Sequence, residues 1–68
     1  MVLHMKQCEF KTKDDESVTV RFSLEDVTDV VPDSDMRYTL VVLKNGDKHF
    51  ICGTKLEILD QLGLNNVN

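Results

Sequence analysis

The side chains best suited to metal or redox chemistry in this 68-residue sequence are two cysteines and two histidines, arranged as His4-x3-Cys8 and His49-x2-Cys52. A structural zinc site needs four donors converging at about 2.0–2.3 Å, usually presented by a knuckle such as C-x2-C, and the sequence has no such knuckle. If both segments are strands, His49 and Cys52 point to opposite faces, while His4 and Cys8 share a face but stand about 13 Å apart at 3.3 Å per residue. The expectation is therefore no metal and no cofactor. Cys8 and Cys52 could bridge only if their strands are neighbours, and reduced thiols packed as small hydrophobes are the simpler reading.

The acids are concentrated. Glu25, Asp26, Asp29, Asp33 and Asp35 fall in eleven residues without a Lys or Arg, so the rest of the chain balances to +1 against a total of −4. That segment lacks the loop-bending glycine and distal bidentate glutamate of an EF-hand. It reads as a solvated acidic surface and, functionally, as a candidate protein-binding patch. It would repel a phosphate backbone, and no cluster of basic residues interleaved with aromatics offsets it, which argues against nucleic-acid binding. No Ser, His and acid set stands out, and three glycines form no phosphate-cradling loop. A chain this short also has little core with which to exclude water from a deep pocket, so no catalytic residue is assigned and an enzyme is not expected.

The elements that would carry these residues are clearest from Met36 to Leu64. Asn45-Gly46 between two apolar runs predicts a hairpin, with a turn that tolerates positive φ at both central positions. Thr54 and Glu57 have capping-box spacing, predicting a helix from about Lys55 to Leu62, with Leu56, Ile58, Leu59 and Leu62 as its apolar stripe and Gly63 as its left-handed stop. Residues 2 to 12 read as a strand, with Cys8 and Phe10 on one parity. Lys11 to Ser17 reads as a solvated hairpin tip. Val18, Val20, Phe22 and Leu24 alternate with Thr19, Arg21 and Ser23, the pattern of a strand with one buried and one wet face. Residues 24 to 31 suit either a short helix or a strand, with strand preferred, before Pro32 and a turn at Asp33-Ser34-Asp35. The fold class is α+β, mostly β: an antiparallel sheet of four to five strands, open or closed into a small barrel, with one short C-terminal helix. Residues 1–64 form a single domain and 65–68 a disordered tail.

The Leu40-Val41-Val42-Leu43 run, beside Phe50 and Ile51, is apolar on both faces, as an interior strand covered on each side would be. One helix covers one face. The other needs either the amino-terminal strands as a second layer or a further copy of the chain, and Leu40, Val41, Val42, Leu43, Phe50 and Ile51 are the candidate self-association residues. With no apolar run of about 18 residues and no cleavable leader, a soluble, cytoplasmic protein without a membrane span is expected.

Phe22-x-Leu24 through Leu62 resembles the small FlbD/SwrD-type accessory proteins of bacterial flagellar operons. The likeness lies in the order of Val27 and Val30, an acidic turn, Tyr38-Thr39-Leu40-Val41-Val42-Leu43-Lys44-Asn45-Gly46, His49-Phe50-Ile51 and Glu57-Ile58-Leu59. It implies a non-enzymatic regulatory or accessory factor that works by binding other proteins. Bacteriophage accessory proteins share this size and style, and an acidic nucleic-acid mimic that uses Glu25 to Asp35 on a host protein is one alternative. A nucleic-acid-linked transcriptional regulator is the other, since L-x-N-G hairpins followed by short helices also occur in LytTR-type domains.

Overall fold

The computed structural model describes residues 7–63; His4, the first residues of the predicted amino-terminal strand and the predicted tail lie outside them. The strands are β1 (Cys8–Lys11), β2 (Thr19–Phe22), β3 (Val27–Pro32), β4 (Tyr38–Leu43) and β5 (Lys48–Cys52), followed by helix α1 (Lys55–Leu62). All pairings are antiparallel: β1 with β2 in one sheet, and β3, β4 and β5 in that order in a second. The mostly-β class with one C-terminal helix is as read from the sequence, but the two sheets do not close into a barrel. Among the described residues their backbones are joined by one bridge, Thr12 to Ile51, and a 2.8 Å bond from the Lys13 amide to the Phe50 carbonyl. The free edge of β3 is poorly suited to closure. The Asp29 carboxylate accepts from the Val30 amide at 2.9 Å, and Pro32 has no N–H to give.

The stretch left open between helix and strand contains both. Leu24–Asp26 is a 3-10 turn and β3 follows directly, with Pro32 as its last residue, paired with Thr39 rather than ending the strand early. Ser23, expected on the wet face, lies past the end of β2 at the start of the 3-10 turn and is buried, with its amide and hydroxyl both donating to Asp26 at 2.9 Å. Val18, expected to be buried, lies before β2 and is exposed.

The hairpin turn sits where Asn45-Gly46 predicts, in a different form. Only glycines adopt positive φ among the described residues, so Asn45 does not, while Gly46 has φ 96°. The Gly46 amide donates to Leu43 at 2.9 Å and the Leu43 amide to Asp47 at 2.8 Å. This makes a three-residue loop, a type I turn through Lys44 and Asn45 followed by a left-handed glycine. A side chain at position 46 would meet nothing within 4 Å, so substitution costs only backbone strain. Gly46→Val is expected to lose about 1–3 kcal/mol, and Gly46→Asn less, because asparagine tolerates this region. Thermal melts check it: equal midpoints for valine and glycine would exclude a left-handed residue there.

Helix α1 starts and stops as predicted. The Glu57 amide donates to Thr54 Oγ1 at 3.1 Å, the Thr54 amide to Glu57 Oε1 at 2.9 Å, and Gly63 closes the helix at φ 98°. Its apolar stripe is narrower than predicted. Ile58 and Leu62 are buried, whereas Leu56 is 71% exposed, because at 100° per residue it lies about 160° around the helix from Ile58. Ile58 and Leu62 join Cys8, Phe10, Phe22, Val41, Leu43 and Ile51 in one core. Thus α1 and the β1–β2 sheet cover the same side of the three-stranded sheet. Gly53, at φ 126°, makes the corner between β5 and α1; its carbonyl accepts from the buried Thr39 hydroxyl at 2.9 Å.

Candidate functional site

Among the described residues, no strand or helix covers the second face of the three-stranded sheet. Strand alternation divides the predicted self-association residues: Val41, Leu43 and Ile51 point into the core and are unavailable to a partner, while Leu40, Val42 and Phe50 point outward. The reason is the period of two, which sends neighbours in a both-faces-apolar run to opposite sides. The register sets the outward side chains in rows: Asp29, Val42 and Lys48 in one, Val31, Leu40 and Phe50 in the next, and Tyr38 and Cys52 in the third. Val31 and Phe50 are each 41% exposed, and Leu40, Val42 and Tyr38 are half-buried. Among the described residues, this side, expected to be covered, is a shallow apolar strip with opposite charges at two edges, and β1 and β2 pack on the other side of the sheet.

One corner is clamped. Lys13 reaches from the β1–β2 loop to place Nζ 3.0 Å from Asp33 Oδ2, 5.0 Å from the Tyr38 ring centroid and 5.4 Å from that of Phe50. Beneath it, Cys52 Sγ donates to the Thr12 carbonyl at 3.6 Å. A cation between two rings and a carboxylate holds the loop to the sheet rim. The hydrogen bond to Asp33 raises the Lys13 ammonium above its ordinary value, and the same bond lowers the Asp33 carboxyl. The sequence reading placed Lys13 in a solvated tip; no local signal pairs it with Asp33, twenty positions away. Val31 and Tyr38 were also missed, although the alternation of Tyr38 with Leu40 and Val42 marks them as one side.

The acidic segment is mostly occupied with local structure. Asp26 holds Ser23, Asp29 caps the Val30 amide, Asp33 meets Lys13, and Asp35 receives two bonds from the Arg37 guanidinium at 2.9 and 3.1 Å. The Arg37 side chain, then its amide, hold the Asp35 carboxyl down at about 2. Ser23, through its amide and then its hydroxyl, lowers Asp26. Carboxylates held below their unfolded values contribute stability above about pH 4 that is withdrawn as the pH falls through their folded values. Glu25 is exposed on the 3-10 turn.

Among the described residues, Cys8, Cys52 and His49 do not converge. Cys8 sits in the core and donates to the Gln61 carbonyl at 3.3 Å, while Cys52 lies on the other side of the sheet, so the two cannot bridge. His49 shares a row with Val41 on the inward side, opposite to Cys52, and His4 lies outside the described residues. A groove of about 490 Å3 opens between β2 and the tip of the β4–β5 hairpin, floored by Val20, Phe22 and Leu43. Arg21, Lys44, Asp26 and Asp47 balance one another around it, and His49 also lines it. Among the described residues, no hydroxyl or thiol side chain lines it to pair with that imidazole as a nucleophile. Among the described residues no helix is long and apolar enough to cross a membrane. The chain matches no known protein family, no curated protein and no solved structure.

Proposed function

We propose that this chain is a non-enzymatic binding or regulatory module that acts through protein–protein contacts, and that the outward side of β3, β4 and β5 is its contact surface. The observation that carries this reading is the row Val31, Leu40 and Phe50, apolar across all three strands and, among the described residues, overlaid only at its Phe50 end by Lys13. Apolar surface left in water forfeits about 25 cal/mol per Å2, and a contiguous exposed strip of it marks interaction sites more often than isolated exposed residues do. The resemblance of residues 22–62 to flagellar-operon accessory proteins implies the same class of action. The acidic segment supports it less, because most of its carboxylates already hold local partners. The bonds those carboxylates make within the chain also weaken the alternative of an acidic mimic laid in a basic groove.

Site-specific photo-crosslinking in cells tests the surface. A benzophenone at position 42, on the outward side, is expected to give discrete protein adducts, and one at position 60, on the solvent side of α1, is expected to give none. Equal yields from both positions, or adducts from position 60 alone, would overturn the assignment.

A further inference from the structure

We infer that the occupant of this surface is a second copy of the same chain, docked sheet against sheet about a two-fold axis parallel to β4. The inference rests on the protein-contact reading above and adds the identity and register of the partner. Such an axis lays β3 of one copy over β5 of the other. Because Asp29, Val42 and Lys48 share a row, Asp29 then faces Lys48 of the second copy, and Lys48 faces its Asp29. In the next row Val31 meets Phe50, Leu40 meets Leu40, and Val42 meets Val42 one row away. Every charge at the two edges of the Asp29 row finds its opposite, Leu40 and Val42 each meet an apolar side chain, and Val31 meets the part of Phe50 that Lys13 leaves exposed.

The perpendicular two-fold, running across the strands, fails the same comparison. It reverses the order of the rows, bringing Asp29 toward Asp33 and Lys48 toward the corner where Lys13 lies over Phe50 and Tyr38. Asp33 and Lys13 are already paired with each other there at 3.0 Å, so neither Asp29 nor Lys48 finds the free opposite charge that the parallel axis gives it. Association by strand addition to the three-stranded sheet is also obstructed. The Asp29 carboxylate occupies the Val30 amide and Pro32 removes a second donor on β3, while Thr12 and Lys13 take up the edge of β5. The broad side of the sheet is the route these features leave.

Three strands about 4.8 Å apart, with five residues each at about 3.3 Å, make a footprint of roughly 240 Å2, well short of about 800 Å2 per partner in stable complexes. The dimer is therefore weak and short-lived, and it is to be sought between about 10 µM and 1 mM.

The test is a concentration series on the whole chain, read by sedimentation and by amide NMR shifts, with charge-reversed variants alongside. The expected result is a mass rising from 7.8 kDa toward twice that value, with amide shifts that move at Val31, Leu40, Val42 and Phe50 but not on α1. Asp29→Lys and Lys48→Asp, each confirmed as folded by circular dichroism, are expected to self-associate about tenfold more weakly. An equimolar mixture of the two should regain association. In the mixed dimer the introduced lysine of one chain faces the introduced aspartate of the other, and the unchanged Lys48 of the first faces the unchanged Asp29 of the second. A mixture no tighter than either variant alone would overturn this register. A 7.8 kDa mass at every concentration, or shifts that move only outside the strip, would overturn the second copy as occupant. In that case adducts to a different protein from position 42 would leave the contact-surface reading standing, and the absence of any adduct would remove both.

Discussion

Phe22→Ala is expected to lower stability by about 3–5 kcal/mol, the range for removing a buried phenyl ring. Phe22 is 1% exposed, and its ring stacks on Phe10 with centroids 5.0 Å apart. It lies in the core with Val41, Leu43 and Ile51, and so joins the two-stranded sheet to the three-stranded one, which share little backbone pairing. Domains have about 0.05–0.15 kcal/mol of stability per residue, so a chain of this length holds about 3–10 kcal/mol, and the substitution removes a large part of it. Phe50→Ala provides the comparison, since the same ring is deleted from the uncovered side of the sheet, where it is 41% exposed. Its expected loss is less than half as large. Urea unfolding followed by circular dichroism would measure both. Equal losses would mean that Phe50 is buried by something in solution, and the concentration dependence of its midpoint would then identify a second copy as the cause.

What the sequence made legible here was mostly local. The capping box at Thr54 and Glu57 involves residues three apart, and Gly63 ends the helix by its own conformation, so both could be read without knowing the rest of the fold. The position of the β4–β5 turn was equally plain from Asn45-Gly46. Its type was not, because that depends on the closing pair, Leu43 with Asp47, which is a matter of strand register. The acidic segment looked like one free surface because charge is visible in a sequence and hydrogen-bond partners are not. Asp26 and Asp35 find partners two or three residues away, whereas the Lys13 to Asp33 pair joins a loop to a turn across the fold. The Leu40 to Leu43 run announced two apolar sides without saying which parity would be the core. That was settled by the docking of β1, β2 and α1 on one side together, a long-range outcome that no window of sequence contains.

The helix shows the same limit in a form that mutation can read. Leu56 and Ile58 are both large aliphatics in the first turn and a half of α1, and by composition either could anchor it. An eight-residue helix is too short to be stable alone, so it forms only as far as its docked side chains hold it to the sheet. Ile58 is 1% exposed and packs against the Gly53 corner, where a Cβ added to the glycine would come within 3.4 Å of Ile58 Cγ1. Ile58→Ala should therefore cost about 2–5 kcal/mol, through lost burial and the cavity left between α1 and the sheet. Leu56→Ala removes a side chain that already faces water and substitutes the strongest helix former, so its expected effect is within about 0.5 kcal/mol of zero. Denaturant midpoints and the helical signal in the far ultraviolet separate the two. Ile58→Ala should lose helix and fold together, and Leu56→Ala should retain both. A Leu56→Ala loss comparable to that of Ile58→Ala would show that α1 docks through a different face, and the uncovered side of the sheet would then have to be sought again.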